Sequence, residues 1–166
     1  MASTYTPIAT TTLGSSAASY TFSSIPSTYT DLILVTNFSS SVTGTDLCVQ
    51  LNGDTANNYS YRWIDGTGSA AASAGVSTQP VFKLNHYGYG TTTAGETNNI
   101  AHFQNYSNTT TYKTILSRAN SSSNGVSGVA SLWRSTAAIS SIKILTNDGS
   151  TYSTGTTFTL YGIAAA

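Results

Sequence analysis

The chain has 166 residues, the size of one ordinary domain and enough to close a core without disulfide or metal staples. Only 7% of residues are charged, six basic against six acidic, for a formal net charge of zero. That excludes nucleic-acid binding by counterion release and a polybasic membrane patch. Ser and Thr supply about a third of the chain, far above ordinary usage, so hydroxyls carry the solvation that charges usually provide. The 11 Tyr, 5 Phe and 2 Trp, set among many Val, Ile and Thr, point to a folded, β-rich chain rather than a disordered one.

In chain order, Tyr5 to Leu13 is extended and Thr-rich, with Pro7 predicting an edge strand. Ser19 to Ile25 alternates around Tyr20 and Phe22 and breaks at Pro26. Asp31 to Phe38 is a short apolar run bounded by polar turns, predicting a buried strand. Asp46 to Asn52 alternates, with Leu47, Val49 and Leu51 on one face, and ends at the turn Asn52-Gly53-Asp54. Tyr59 to Ile64 is aromatic and strand-like. From Asp65 to Gln79 the Gly/Ala/Ser-rich sequence predicts a long loop, with at most a short helix at Ala70 to Ala74. Strands are expected again at Val81 to Asn85 and Ile100 to Tyr106, with Tyr87-Gly88-Tyr89-Gly90 as a loop between them. Tyr112 to Arg118, Val126 to Trp133, Ile139 to Leu145 and Thr156 to Tyr161 follow, separated by turn sequences such as Ser123-Asn124-Gly125 and Asn147-Asp148-Gly149. About nine or ten short strands without helical periodicity predict a two-sheet antiparallel β-sandwich, jelly-roll-like, as a single domain over residues 1–166.

Chemistry has little to work with. The single cysteine, Cys48, forms no intrachain disulfide, and its apolar neighbours predict a buried thiol. No basic and apolar leader opens the chain, so no secretory signal is expected, and no apolar run reaches membrane-spanning length. The Asn-x-Ser/Thr matches at Asn37, Asn58, Asn105, Asn108 and Asn120 follow from composition. Asp31, Asp46, Asp54 and Asp148 sit at strand starts or turns, where such side chains cap the backbone. Asp65 and Glu96 are the best remaining candidates for a carboxylate pair. His86 and His102 match no metal-binding spacing. There is no nucleophile elbow and no phosphate-cradling loop. No cofactor, metal or catalytic activity is expected.

The aromatics are the better candidates for contact. Tyr59, Tyr61 and Trp63 alternate and so share one strand face, which serves either core packing or a binding surface. Tyr87 and Tyr89, spaced by glycine, are candidates for meeting a neighbouring subunit or a glycan.

Several stretches resemble a family of small virion proteins of marine and cyanobacterial tailed bacteriophages. They are Ile25-Pro26-Ser27-Thr28-Tyr29-Thr30-Asp31-Leu32, Leu51-Asn52-Gly53-Asp54 with Asn58-Tyr59-Ser60-Tyr61-Arg62, Tyr112-Lys113-Thr114, Leu132 to Ile142, and the closing Phe158-Thr159-Leu160-Tyr161-Gly162-Ile163. The resemblance implies a β-sandwich on the outer surface of the virion, often a homotrimer, assembled in the host cytoplasm. Two placements follow from it. One is a capsid decoration (cement) protein bound to the major capsid protein; the other is a tail fibre or tail-tip component binding the host surface or a glycan. The strand pattern fills the chain from end to end, leaving no room for a tail-attachment domain, which tilts the expectation towards decoration. Residues 1–13 are expected as an extended arm able to add a strand to a partner subunit.

Overall fold

A computed structural model of the chain describes residues 4–86, 92 and 97–164. Among them are twelve strands and no helix. They are β1 (Tyr5–Thr12), β2 (Ser19–Phe22), β3 (Asp31–Phe38), β4 (Leu47–Leu51), β5 (Tyr59–Gly66), β6 (Ala71–Gln79), β7 (Phe82–Lys83), β8 (Thr97–Phe103), β9 (Lys113–Ser121), β10 (Gly125–Trp133), β11 (Ile142–Thr146) and β12 (Thr157–Ile163). All pairings are antiparallel, in a large sheet ordered β1-β12-β3-β8-β9-β10-β5-β6 and a small one ordered β2-β11-β4-β7.

This order resolves into a jelly roll with two additions. The strands β1-β12-β3-β8 against β2-β11-β4-β7 form two packed four-stranded sheets with jelly-roll connections. The hairpin β5–β6 is inserted between β4 and β7, and the hairpin β9–β10 between β8 and β11. The two hairpins pair with each other through β5 and β10, and β9 joins them to β8, doubling the width of one sheet.

Alternation drives the packing. β3, β8, β9 and β12 bury every second residue, and from β3 these are Leu32, Leu34, Thr36 and Phe38. β3 therefore has one buried face rather than two, although its sequence is an apolar run. β4 is the strand buried on both faces, Cys48 and Gln50 included. One core spans both sheets, with Phe38, Tyr152 and Phe158 packed edge-on at one end and Tyr59, Phe82, Phe103 and Trp133 at the other.

The expected loop at Asp65–Gln79 is corrected. It is the end of β5, a tight turn and the nine-residue strand β6. Small residues have low strand propensity, but β5 offers a free edge, and β6 pairs along it from Gly66↔Ala71 to Tyr59↔Gln79. With β6 included, the described strands number twelve rather than the nine or ten expected. Pro7 does lie on an edge strand, beside a register shift between Pro7 and Ala9. That strand pairs with β12 of the same chain, so the stretch to Thr12 is engaged within this sheet.

The short strand β7 is held without a second neighbour. The Leu84 carbonyl accepts hydrogen bonds from Asn99 Nδ2 and Ser117 Oγ, both at 2.7 Å, and the Lys83 carbonyl accepts one from Ser131 Oγ at 3.2 Å. Buried Ser and Asn on the inner face of β8–β10 thus satisfy main-chain acceptors that a sheet edge would leave orphaned.

Candidate functional site

The added hairpins create a broad concavity. Antiparallel register places Ser73, Ile64, Gly128 and Arg118 in one row on the outer face of the large sheet, with Ala71, Gly66, Val126 and Asn120 in the next. These rows line a trough of about 890 Å³. Gly66 and Gly128 leave its floor at backbone level, and a Cβ on Gly128 would lie 3.4 Å from Ile64 Cγ1. A second depression of about 300 Å³, lined by Ile100, His102, Leu116, Ser117 and Arg118, continues across β9 and β8. Arg118 belongs to both.

The trough walls are apolar and wet. Ile64 is 67% exposed and Val126 58% in the trough, and Leu116 is 56% exposed in the second depression, where a solvent-facing strand row would ordinarily be polar. Among the described residues, no side-chain hydrogen bond or ion pair engages the exposed Arg118 guanidinium. At the far margin Asp31 ties β3 to β8, taking His102 Nε2 at 2.9 Å and the Asn105 N–H at 2.6 Å. An exposed apolar trough bordered by Arg118 is suited to contact with another macromolecule.

The sequence-selected aromatics lie mostly on the opposite face. Tyr59, Tyr61 and Trp63 do share a side of β5, and it points inward. Tyr59 is fully buried; its hydroxyl sits 3.0 Å from the Leu51 N–H and donates to the Asp54 carbonyl at 2.9 Å. Burial first, with Asp54 adding to it, pushes its phenol up to about 12. Tyr61 is 7% exposed and lies near Lys83, Cys48 and Asp46. Trp63 is half-buried and stacks on His86 with ring centroids 3.7 Å apart. These rings serve packing within the chain rather than an open surface. Tyr87, Tyr89 and Glu96 lie outside the described residues.

Asp65 and His86, 21 residues apart, are brought together. His86 Nδ1 lies 2.8 Å from Asp65 Oδ2, and Ser127 Oγ accepts the His86 main-chain N–H at 3.4 Å. Asp65 and Ser127 are 7% and 5% exposed, so this trio braces β5 and β10 against the segment after β7. Lys83 pairs with Asp46 beside the buried Cys48, whose thiol is pushed far up, by burial first and by Asp46 next. No group of three potential metal ligands occurs among the described residues.

Asp54 organises the turn after β4. Its carboxylate accepts from Trp133 Nε1 at 2.7 Å, Asn58 Nδ2 at 2.9 Å and the Ala56 N–H at 2.9 Å. Partial burial alone would raise its pKa, but these three donors outweigh it and hold the carboxyl below the usual 3.8. A folded-state pKa below the unfolded one contributes stability that is present above the unfolded value and lost as pH falls through the folded one. Acidification below about pH 4 should therefore lower the melting temperature. Asp54→Asn should flatten that fall while lowering the melting temperature at neutral pH; equal acid slopes for both proteins would remove Asp54 from the account.

No protein-family model and no curated protein matches the sequence. The fold comparison places the chain beside a crystal structure of a protein of unknown function from Shewanella oneidensis MR-1, at 13% identity and a TM-score of 0.25. The match covers 86% of this chain and 62% of that one.

Proposed function

We propose that this protein is a non-catalytic structural component of a bacteriophage virion, a capsid decoration protein that binds the assembled shell through the outer face of its widened sheet. The observation that carries the reading is the exposed apolar trough around Ile64 and Val126, with Leu116 exposed in the depression beside it. It is built by two hairpins that the jelly roll does not need for closure. The sequence resemblance supplies the virion setting, and the near absence of charge suits contacts made by apolar area and hydroxyl hydrogen bonds. The mechanism is physical: a subunit that binds only the assembled lattice stabilises it by mass action, and many symmetric copies add avidity.

Cryo-electron microscopy of the intact particle tests the placement. Density for this chain repeated over the icosahedral shell, with the trough facing the major capsid protein, is the expected result. Density confined to the tail would overturn decoration in favour of a host-surface or glycan-binding role.

A further inference from the structure

Two sheets have four edges, and three of them are closed. β1 carries Pro7 and a register shift; both features discourage strand addition. β2 is only four residues long. β7 has two residues, and the carbonyls of Lys83 and of Leu84 after it are already engaged by side chains. The fourth edge, β6, runs nine residues with neither charge nor proline, and among the described residues it pairs only on its β5 side.

The open groups on β6 can be named. The Thr67 N–H bonds the Ala70 carbonyl at 3.0 Å. With bonded pairs alternating along an antiparallel ladder, the next ones fall at Asp65–Ala72 and Trp63–Ala74. Ala71, Ser73 and Gly75 therefore turn their N–H and C=O groups away from β5. Beyond Gly75 the edge closes. The Arg62 stem lies over Gly75, so closely that a Cβ there would meet Arg62 Cδ at 2.0 Å. Its guanidinium binds the Val76 carbonyl at 3.0 Å and Ser77 Oγ at 3.2 Å, and Arg134 takes the Ser77 carbonyl.

We propose that β6 pairs antiparallel with β6 of a second copy of this chain, about a two-fold axis at Ser73. Ser73 then exchanges both main-chain hydrogen bonds with its counterpart, and Ala71 does so with Gly75 on either side. The run is self-complementary. Ala71, Ser73 and Gly75 face one side and Ala72 and Ala74 the other, so two copies approach without clash or opposed charge. The arginines select the register. Centred on Ser73, the two Ser77 positions lie about 27 Å apart at strand rise, well beyond the ~10 Å range of exposed charges in salt. Sliding the pairing towards Ser77 would bring four guanidinium groups together. Net neutrality removes the long-range repulsion that keeps many domains monomeric. The contact joins two large sheets into one and sets two troughs side by side. It is two-fold, unlike the trimer that the family resemblance implies, and it does not depend on the virion reading.

The test is the solution mass of the full chain by light scattering across a dilution series, with two variants at the axis. Ser73→Pro deletes an outward N–H that β5 does not use, and Ser73→Lys opposes two cations at the dyad. The expected result is a dimer for the unaltered chain and dimerisation weakened roughly tenfold to a hundredfold in both variants, with unchanged circular dichroism. Ser73→Cys should give an oxidised covalent dimer, since bonded-pair Cα atoms stand about 5.5 Å apart and Cys48 is buried. A monomeric chain would overturn the proposal. So would an oligomer of any size that both folded variants retain, because a foreign strand or a different surface would then hold the assembly.

Discussion

Replacing Trp133 by alanine should cost about 3–5 kcal/mol of stability and lower the melting temperature by roughly 10 °C in a domain of this size. Trp133 is 2% exposed at the end of β10 and stacks on Tyr59 with ring centroids 6.3 Å apart. The truncation opens a cavity in the core end where Tyr59, Phe82 and Phe103 also pack. It also removes the 2.7 Å hydrogen bond from Nε1 to Asp54. Asp54 in turn orders Asn58 and the turn that brings its own carbonyl to the Tyr59 hydroxyl, so the loss spreads from a cavity to a hydrogen-bond network. Trp133→Phe separates the two parts: it keeps most of the packing and forfeits the hydrogen bond, and should cost about 1–2 kcal/mol. A Trp133→Phe variant as unstable as Trp133→Ala would show that the hydrogen bond, not the packed volume, dominates. Thermal or urea unfolding reads both.

Much of this core was legible in the sequence because alternation is a local signal. The Tyr59–Tyr61–Trp63 face and the Leu47–Val49–Leu51 face follow from residue spacing, the edge position of Pro7 from its missing N–H, and the structure has them. Turns were legible for the same reason. Asn52 and Gly53 take φ values of 53° and 70°, and Gly149 takes 76°, the left-handed backbone that Asn and Gly tolerate. β6 was not legible. Its Ala, Ser and Gly residues carry no strand signal, and the segment is a strand only because β5 presents an edge to it.

The trough was harder still to read. Its rows join residues from β5, β6, β9 and β10, and the pairing of β5 with β10 crosses some sixty residues of chain, as Ile64 opposite Gly128 shows. Leu116 and Val126 were visible as apolar residues within expected strands. Whether such a residue faces core or solvent depends on which neighbours pair beside it, and one sequence does not say. Asp31–His102 and Asp65–His86 are likewise pairs of tertiary origin, separated by 71 and 21 residues.

The trough makes the second large prediction. Ile64→Asp and Val126→Asp place a carboxylate on residues that are 67% and 58% exposed, so each should change folding stability by no more than about 0.5 kcal/mol. Under the decoration reading, either change at the middle of the contact should weaken binding to the assembled particle about 30-fold or more, the range of a buried interface anchor. Thr21→Asp, exposed on β2 of the small sheet, should leave binding intact. Copy number after sedimentation with particles that lack the protein measures all three. Because the trough lining is mostly apolar, with Arg118 its one Lys or Arg, bound copies should also survive about molar salt, which screens exposed charge pairs but not apolar burial. If Thr21→Asp strips the particle while the trough variants bind normally, the small sheet is the docking face. If salt alone releases the protein, charge rather than apolar area holds it, and Arg118→Ala becomes the variant that decides where.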